Sequence, residues 1–219
     1  MIEREVTVRA PDVELDGRWS TSPDAVGAVV FAHGSGSSRH SPRNRAVADV
    51  LHRSGIATLL FDLLTPEEEQ VDRITRELRF DIDLLTRRLT GAVDWLAARE
   101  DTAGTPIGLF GASTGAAAAL RTAAERPDAV TGVVSRGGRP DLAGGGALRA
   151  VRAPALFIVG GADTDVLRLN KEALDRLGGA GRIRVVPGAT HLFEEEGAME
   201  EVADAAGEWF VRVFGAPGG

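Results

Sequence analysis

Residues 106–120, PIGLFGASTGAAAAL, run from an apolar stretch through Gly111-Ala112-Ser113-Thr114-Gly115 into a row of alanines. Ile107–Phe110 reads as a strand buried on both faces, and Thr114–Glu125 as the helix that follows without a linker. A Gly-x-Ser-x-Gly in that setting lifts a serine hydroxyl onto a tight strand-to-helix turn, and glycine at both flanks relieves the backbone crowding. By itself the motif is a turn made of small residues. Its meaning depends on what the rest of the chain brings to the same end of the sheet.

Upstream, two alternating segments, Glu3–Ala10 and Val13–Trp19, read as an antiparallel hairpin. The run AVGAVVFAHG and, later, IATLLFDLL have the uninterrupted apolar character of buried strands. Between them SPRNRAVADVLHRSG is a helix, with Ser41 as cap, Pro42 in the first turn and Gly55 as stop. A long amphipathic helix begins near Phe80, because Ile82, Leu85, Leu89, Val93 and Leu96 recur at helical steps. The acidic piece before it, Pro66–Leu78, reads as a short helix near the sheet edge with a solvated face, too small for a cap domain.

Downstream of the motif, strands are expected at Val130–Ser135, Ala155–Val159 and Arg182–Val186. Helices are expected at Val166–Leu177 and Ala198–Phe214. The GGG at 144–146 reads as a loop and the closing GAPGG as a frayed tail. The expected fold is therefore one α/β domain over residues 1–219. Its eight-stranded, mostly parallel, doubly wound sheet opens with the antiparallel hairpin, and its ligand site lies beyond the carboxyl ends of the strands.

Those strand ends carry the chemistry. The seventh strand runs into Ala162-Asp163-Thr164-Asp165 and the eighth into Ala189-Thr190-His191. A serine hydroxyl needs a base to become a nucleophile, and histidine titrates near working pH. A carboxylate then fixes the imidazole tautomer. The order serine, acid, histidine is that of α/β-hydrolases. Ser113, Asp163 and His191 are thus the candidate catalytic residues, with Asp163 preferred to Asp165 because it comes first after the strand. The third strand ends in His33-Gly34-Ser35-Gly36-Ser37-Ser38, where a donor to a developing oxyanion is expected. The N–H groups of Ser35 and Thr114 are the candidates, and His33 is expected to order the loop. The same GSGSSR run, followed by Asp62, also suggests a dinucleotide fingerprint, but Arg39 replaces its third glycine.

Composition narrows the field. The 219 residues are 43% hydrophobic and carry a net charge of −7, which argues against general nucleic-acid binding. There is no cysteine, so disulfides and thiolate chemistry are excluded. The histidines at 33, 40, 52 and 191 lack the spacing of a zinc site. No window approaches the roughly 18 apolar residues of a membrane span, and the amino terminus has no signal core. A cytoplasmic protein with no cofactor, no metal and a small-molecule substrate is expected.

Taken together, HGSGSSRHSPRN, GLFGASTGAAAAL, IVGGADTDV and PGATHLFEE make the chain resemble the α/β-hydrolase superfamily, and within it the dienelactone-hydrolase-like group. The resemblance spans essentially the whole chain. It implies Ser113 as nucleophile, Asp163 as acid and His191 as base of a carboxylic-ester hydrolase. Dienelactone hydrolases proper use a cysteine nucleophile; Ser113 in its place favours an ordinary serine esterase. The same residues would also serve acyl transfer to a thiol, amine or peroxide, or stand in a non-catalytic binding module. Candidate substrate contacts are Gly34, Gly36, Arg39, Arg136 and Arg139. The last two leave the sixth strand on the ligand side, where an anionic substrate would meet them unless nearby acids pair with them. Glu194–Glu196 read as a solvated helix start.

Overall fold

The computed structural model describes residues 1–215. Strands β1 (Ile2–Ala10) and β2 (Val13–Thr21) form the antiparallel hairpin. They are followed by β3 (Gly27–Ala32), α1 (Pro42–Arg53), β4 (Ile56–Phe61), α2 (Pro66–Thr75) and α3 (Ile82–Ala97). Then come β5 (Ile107–Ala112), α4 (Thr114–Glu125), β6 (Val130–Arg136), α5 (Gly145–Ala150), β7 (Ala155–Gly160), α6 (Thr164–Leu174), β8 (Gly181–Val186) and α7 (Ala198–Gly215). The sheet order is β1-β2-β4-β3-β5-β6-β7-β8. β2 joins β4 antiparallel, and every pairing from β4 onward is parallel.

The apolar runs form central strands because both sheet faces are covered. β3, β4, β5 and β7 are buried at every position. On one face Val47, Ala48 and Leu51 of α1 pack with Val202, Ala206 and Phe210 of α7. On the other, Leu85, Leu89, Val93 and Leu96 of α3 pack with the alanines of α4. Each fully buried Leu or Phe contributes about 1.5–3 kcal/mol, so the two layers hold the strand ends in register. Edge strand β8 alternates in exposure, as a strand with one covered face should.

Local signals match the helix ends. Ser41 Oγ accepts from the Asn44 amide and Pro42 opens α1. Thr65 and Glu68 form a reciprocal capping box on α2. Two expectations change. The glycine run at 144–146 is not all loop, since α5 starts at Gly145, where only Gly144 holds a positive φ of 82°. The acidic segment is not simply a solvated face. Asp72 is 2% exposed and binds Arg79, while Glu68 reaches the buried Arg88 at 2.8 Å. Of the expected tail, Gly215 ends α7, and residues 216–219 lie outside the described residues. Among the described residues no helix is long and apolar enough to cross a membrane.

Candidate active site

Ser113 sits between β5 and α4 with φ 50° and ψ −118°. That conformation is costly for a residue with a Cβ, about 1–3 kcal/mol, and persists only where the surroundings over-determine it. Here they do. The Ser113 amide donates to the Arg136 carbonyl (3.2 Å), and its own carbonyl accepts from Ala116 and Arg139 (both 3.1 Å). Gly115 completes the turn, because a Cβ there would collide with the Ala32 carbonyl oxygen and lie 2.6 Å from that of His33.

His191 follows β8 on a loop that crosses Gly160 at the end of β7. A Cβ on Gly160 would lie 2.7 Å from the Thr190 carbonyl oxygen, so glycine is what admits this loop. The ring Nδ1 and Asp163 Oδ2 are 2.7 Å apart. An ionised carboxylate only accepts, so Nδ1 carries the proton and Nε2 is left as the basic atom. Asp163 occupies the N-cap position of α6 but makes no side-chain cap bond; its carboxylate goes to His191 instead. Asp165 lies exposed in the first turn of that helix. Glu194–Glu196 do not begin α7, which starts at Ala198. Glu195 instead accepts from the Thr190 amide (2.9 Å) and hydroxyl (2.6 Å), pinning the residue before His191.

Ser113 and His191 line one cavity of about 150 Å³, together with Gly34, Ser35, Ser37, Ser41, Arg43, Asn44, Arg136 and Leu192. No hydrogen bond joins Ser113 Oγ to the ring among the described residues. Such contacts often tighten only when substrate is bound. Across the loop Gly34–Ser37 lies a second cavity of about 160 Å³, walled by Leu63, Leu64, Leu85, Asp72, Arg79 and Thr114. Its roof is α2 with the 3₁₀ turn Leu78–Phe80. Burial alone would raise the Asp72 carboxyl there, but hydrogen bonds from the Arg79 amide and guanidinium overcome it and hold the group below its ordinary range. The sequence offered no signal for this pairing beyond an acid and a base seven residues apart.

The amides of Ser35 and Thr114 donate no hydrogen bond among the described residues. Both residues line the cavity across the loop, and Ser35 also lines the one holding Ser113. His33 orders their loop. Its Nε2 accepts from the Leu63 amide (3.1 Å), which leaves Nδ1–H to donate to the Gly34 carbonyl (3.0 Å). That pattern requires the neutral ring, and burial lowers its pKa below 6.5 despite the Gly34 bond and nearby Asp62 and Glu69. The unfolded chain therefore binds the proton first as pH falls, so this stabilisation is complete above about pH 6.5 and is lost below it. Burial lowers His52 likewise, with the same sign. Melting temperatures measured from about pH 8 to about pH 5 should fall below pH 6.5, and the fall should shrink in His33→Gln. A melting temperature that rises on acidification would contradict the assignment.

The candidate substrate arginines separate. Arg39 is taken up by Asp62 (2.5 Å), Asp16 (3.4 Å) and Glu5 (3.7 Å) and does not line the Ser113 cavity. The same pairing occupies the acid of the dinucleotide-like pattern. Arg139 pairs with Asp141 at 2.7 Å outside the cavity. Gly34 touches both cavities and Gly36 only the second, where Arg79 lies against it. Of these candidates only Arg136 lines the cavity with Ser113, 8% exposed and, among the described residues, with no carboxylate partner. Arg43 and Asn44, brought in by α1, were missed in sequence because they read as ordinary helix residues.

A family model for dienelactone hydrolases matches residues 19–215. The chain belongs to the dienelactone hydrolase family. Over 97% of its length it superposes on 98% of a dienelactone hydrolase from Anabaena variabilis, with TM-score 0.95 and 55% identity. Est1E from Butyrivibrio proteoclasticus shares the fold at TM-score 0.81 and 14% identity, over 97% of this chain and 99% of that one. In sequence, 99% of the chain is 55% identical to a Mycobacterium tuberculosis protein provisionally named a phosphoribosyl transferase. The chain spans about half the length, 48%, of that relative. The α/β-hydrolase fold and the hydrolase family expected from the motifs are thus both found.

Proposed function

We propose that this hydrolase cleaves carboxylic esters through an acyl-enzyme on Ser113. The observation that carries the reading is the strained Ser113 turn sharing a cavity with His191, whose Nδ1 is held by Asp163. In acylation, Ser113 Oγ attacks the ester carbonyl carbon as His191 Nε2 takes its proton. The oxyanion is met by the amides of Thr114 and Ser35, and preorganised donors of this kind are worth about 3–4 kcal/mol each. The carbon–oxygen bond to the alcohol breaks, and the alcohol leaves with the proton from His191. Water then attacks the acyl carbon with His191 as base, and the acid departs as Ser113 recovers its proton. The two cavities on either side of Gly34–Ser37 suit the acyl and alcohol portions of a small ester.

The phosphoribosyl transferase name belongs to a protein twice as long, whereas the Anabaena hydrolase has the length of this chain. We assign that name to the half of the relative that this chain does not match. A fluorophosphonate probe should label Ser113 stoichiometrically, read by peptide mass, and Ser113→Ala should neither be labelled nor turn over p-nitrophenyl butyrate. Labelling elsewhere with Ser113 free, or turnover that survives Ser113→Ala, would sink the reading.

A further inference from the structure

The cavity beside Ser113 holds two guanidinium groups and, among the described residues, no lining carboxylate. Arg136 is 8% exposed, and among the described residues its Nε has no hydrogen-bond partner and its one polar side-chain contact is the Met199 sulfur at 3.9 Å. Arg43 Nε is likewise buried and, among the described residues, unpartnered. The one acid that pairs with it among the described residues is Glu194, 3.5 Å away and itself 69% exposed, a surface pair of little strength. Burial and the charge of Arg43 push the Arg136 pKa down to about 10, so it remains a cation at neutral pH. Burying a guanidinium without an anion, and holding a second cation next to it, strongly opposes folding. An arrangement of this kind in a cleft beside a nucleophile marks a binding site rather than a packing device.

The surrounding donors indicate which anion. The twelve-residue helix α1 points its N-terminus at the cavity through Ser41, Arg43 and Asn44, adding about half a positive charge. Ser41 Oγ accepts from the Asn44 amide, so its proton is available to a ligand. Ser35 and Ser37 add two more hydroxyls to the wall. Two full positive charges, a helix N-terminus and three hydroxyls exceed what one carboxylate can use. They match a tetrahedral dianion, which offers more acceptors and both charges, and guanidinium forks bind phosphate oxygens in pairs.

We propose that this cavity binds a phosphate dianion through Arg136 and Arg43, and that the ester cleaved at Ser113 carries a phosphate group that the reaction leaves intact. The second half of the statement rests on Ser113 being the nucleophile; the first does not. Inorganic phosphate, titrated calorimetrically into the full chain at low salt, should bind once per chain. Its affinity should fall about 30-fold or more in Arg136→Met, and by a smaller factor in Arg43→Gln. In parallel, kcat/KM is compared for p-nitrophenyl 3-phosphonopropionate, mono-p-nitrophenyl succinate and p-nitrophenyl butyrate. The phosphonate ester should lead the neutral one by about 30-fold, and that ratio should collapse toward unity in Arg136→Met.

Absent phosphate binding, or binding equally tight in both variants, overturns the site. A succinate ester preferred over the phosphonate overturns phosphate in favour of a carboxylate. Phosphate binding that depends on Arg136, with no ester turned over and no probe labelling, keeps the anion site and removes the esterase reading. Should Arg136→Met fail to fold by circular dichroism, Arg43→Gln decides alone, since the Arg43 side chain is already 31% exposed.

Discussion

Asparagine in place of Asp163 is expected to lower kcat on p-nitrophenyl esters about ten-thousand-fold, while Asp165→Asn stays within about threefold of the parent. The two residues differ only in where the strand end leaves them. Asp163 Oδ2 lies 2.7 Å from His191 Nδ1, and Asp165 points out from the first turn of α6. An asparagine at 163 has the same shape, but its amide can donate to Nδ1. The imidazole would then hold its proton on Nε2, the atom proposed to take the proton from Ser113. The variant should fold normally, because Asp163 makes no cap bond whose loss would unsettle α6. Adding His191→Ala to Asp163→Asn should cost little more, since residues acting as a unit are not additive. Retention of more than about a tenth of parental kcat in Asp163→Asn would assign the carboxylate elsewhere.

Ser113, Asp163 and His191 could be read together in the sequence because each stands just after an apolar run, and such runs are strands in almost any context. Their separation along the chain, 50 residues from Ser113 to Asp163 and 28 from there to His191, is bridged by sheet topology alone. What stayed hidden depends on tertiary placement. Arg43 is one of three arginines in α1, and nothing local says that the α1 N-terminus turns it toward Arg136. Arg39, Arg136 and Arg139 look equivalent as letters. Their roles diverge because acids on β2, just past β4 and in the turn after β6 reach Arg39 and Arg139, and none of the described residues' acids reaches Arg136. Asp72 illustrates the same limit: an acidic run reads as solvated, yet one of its members is buried by a partner seven residues on. The helix at Gly145–Ala150 was obscured by residues whose propensity disfavours it, and is held by Leu148 in the core.

Alanine at Gly115 is expected to have the largest effect on stability of any single methyl added to the chain near the site. The added Cβ would meet the carbonyl oxygens of Ala32 and His33, which belong to backbone and cannot rotate aside. Relief would require α4 to move away from β3, opening the contact that the small side chains of α4 allow. Overpacking against fixed backbone of this kind costs about 3 kcal/mol, the upper end of the usual range. For a chain of this size that is a melting temperature lower by about 10 °C. The displacement would also carry the Thr114 amide away from Ser35. If that amide is the proposed oxyanion donor, ester turnover measured below the new melting point should fall about 100-fold, as when a reacting contact moves by about 1 Å. Gly146→Ala is the counterpart: it lies within α5, has nothing within 4 Å of the added Cβ, and needs no positive φ. It should raise stability by about 0.5–1 kcal/mol with turnover unchanged. If Gly115→Ala melts with the parent, the backbone contact between α4 and β3 is looser than the geometry requires.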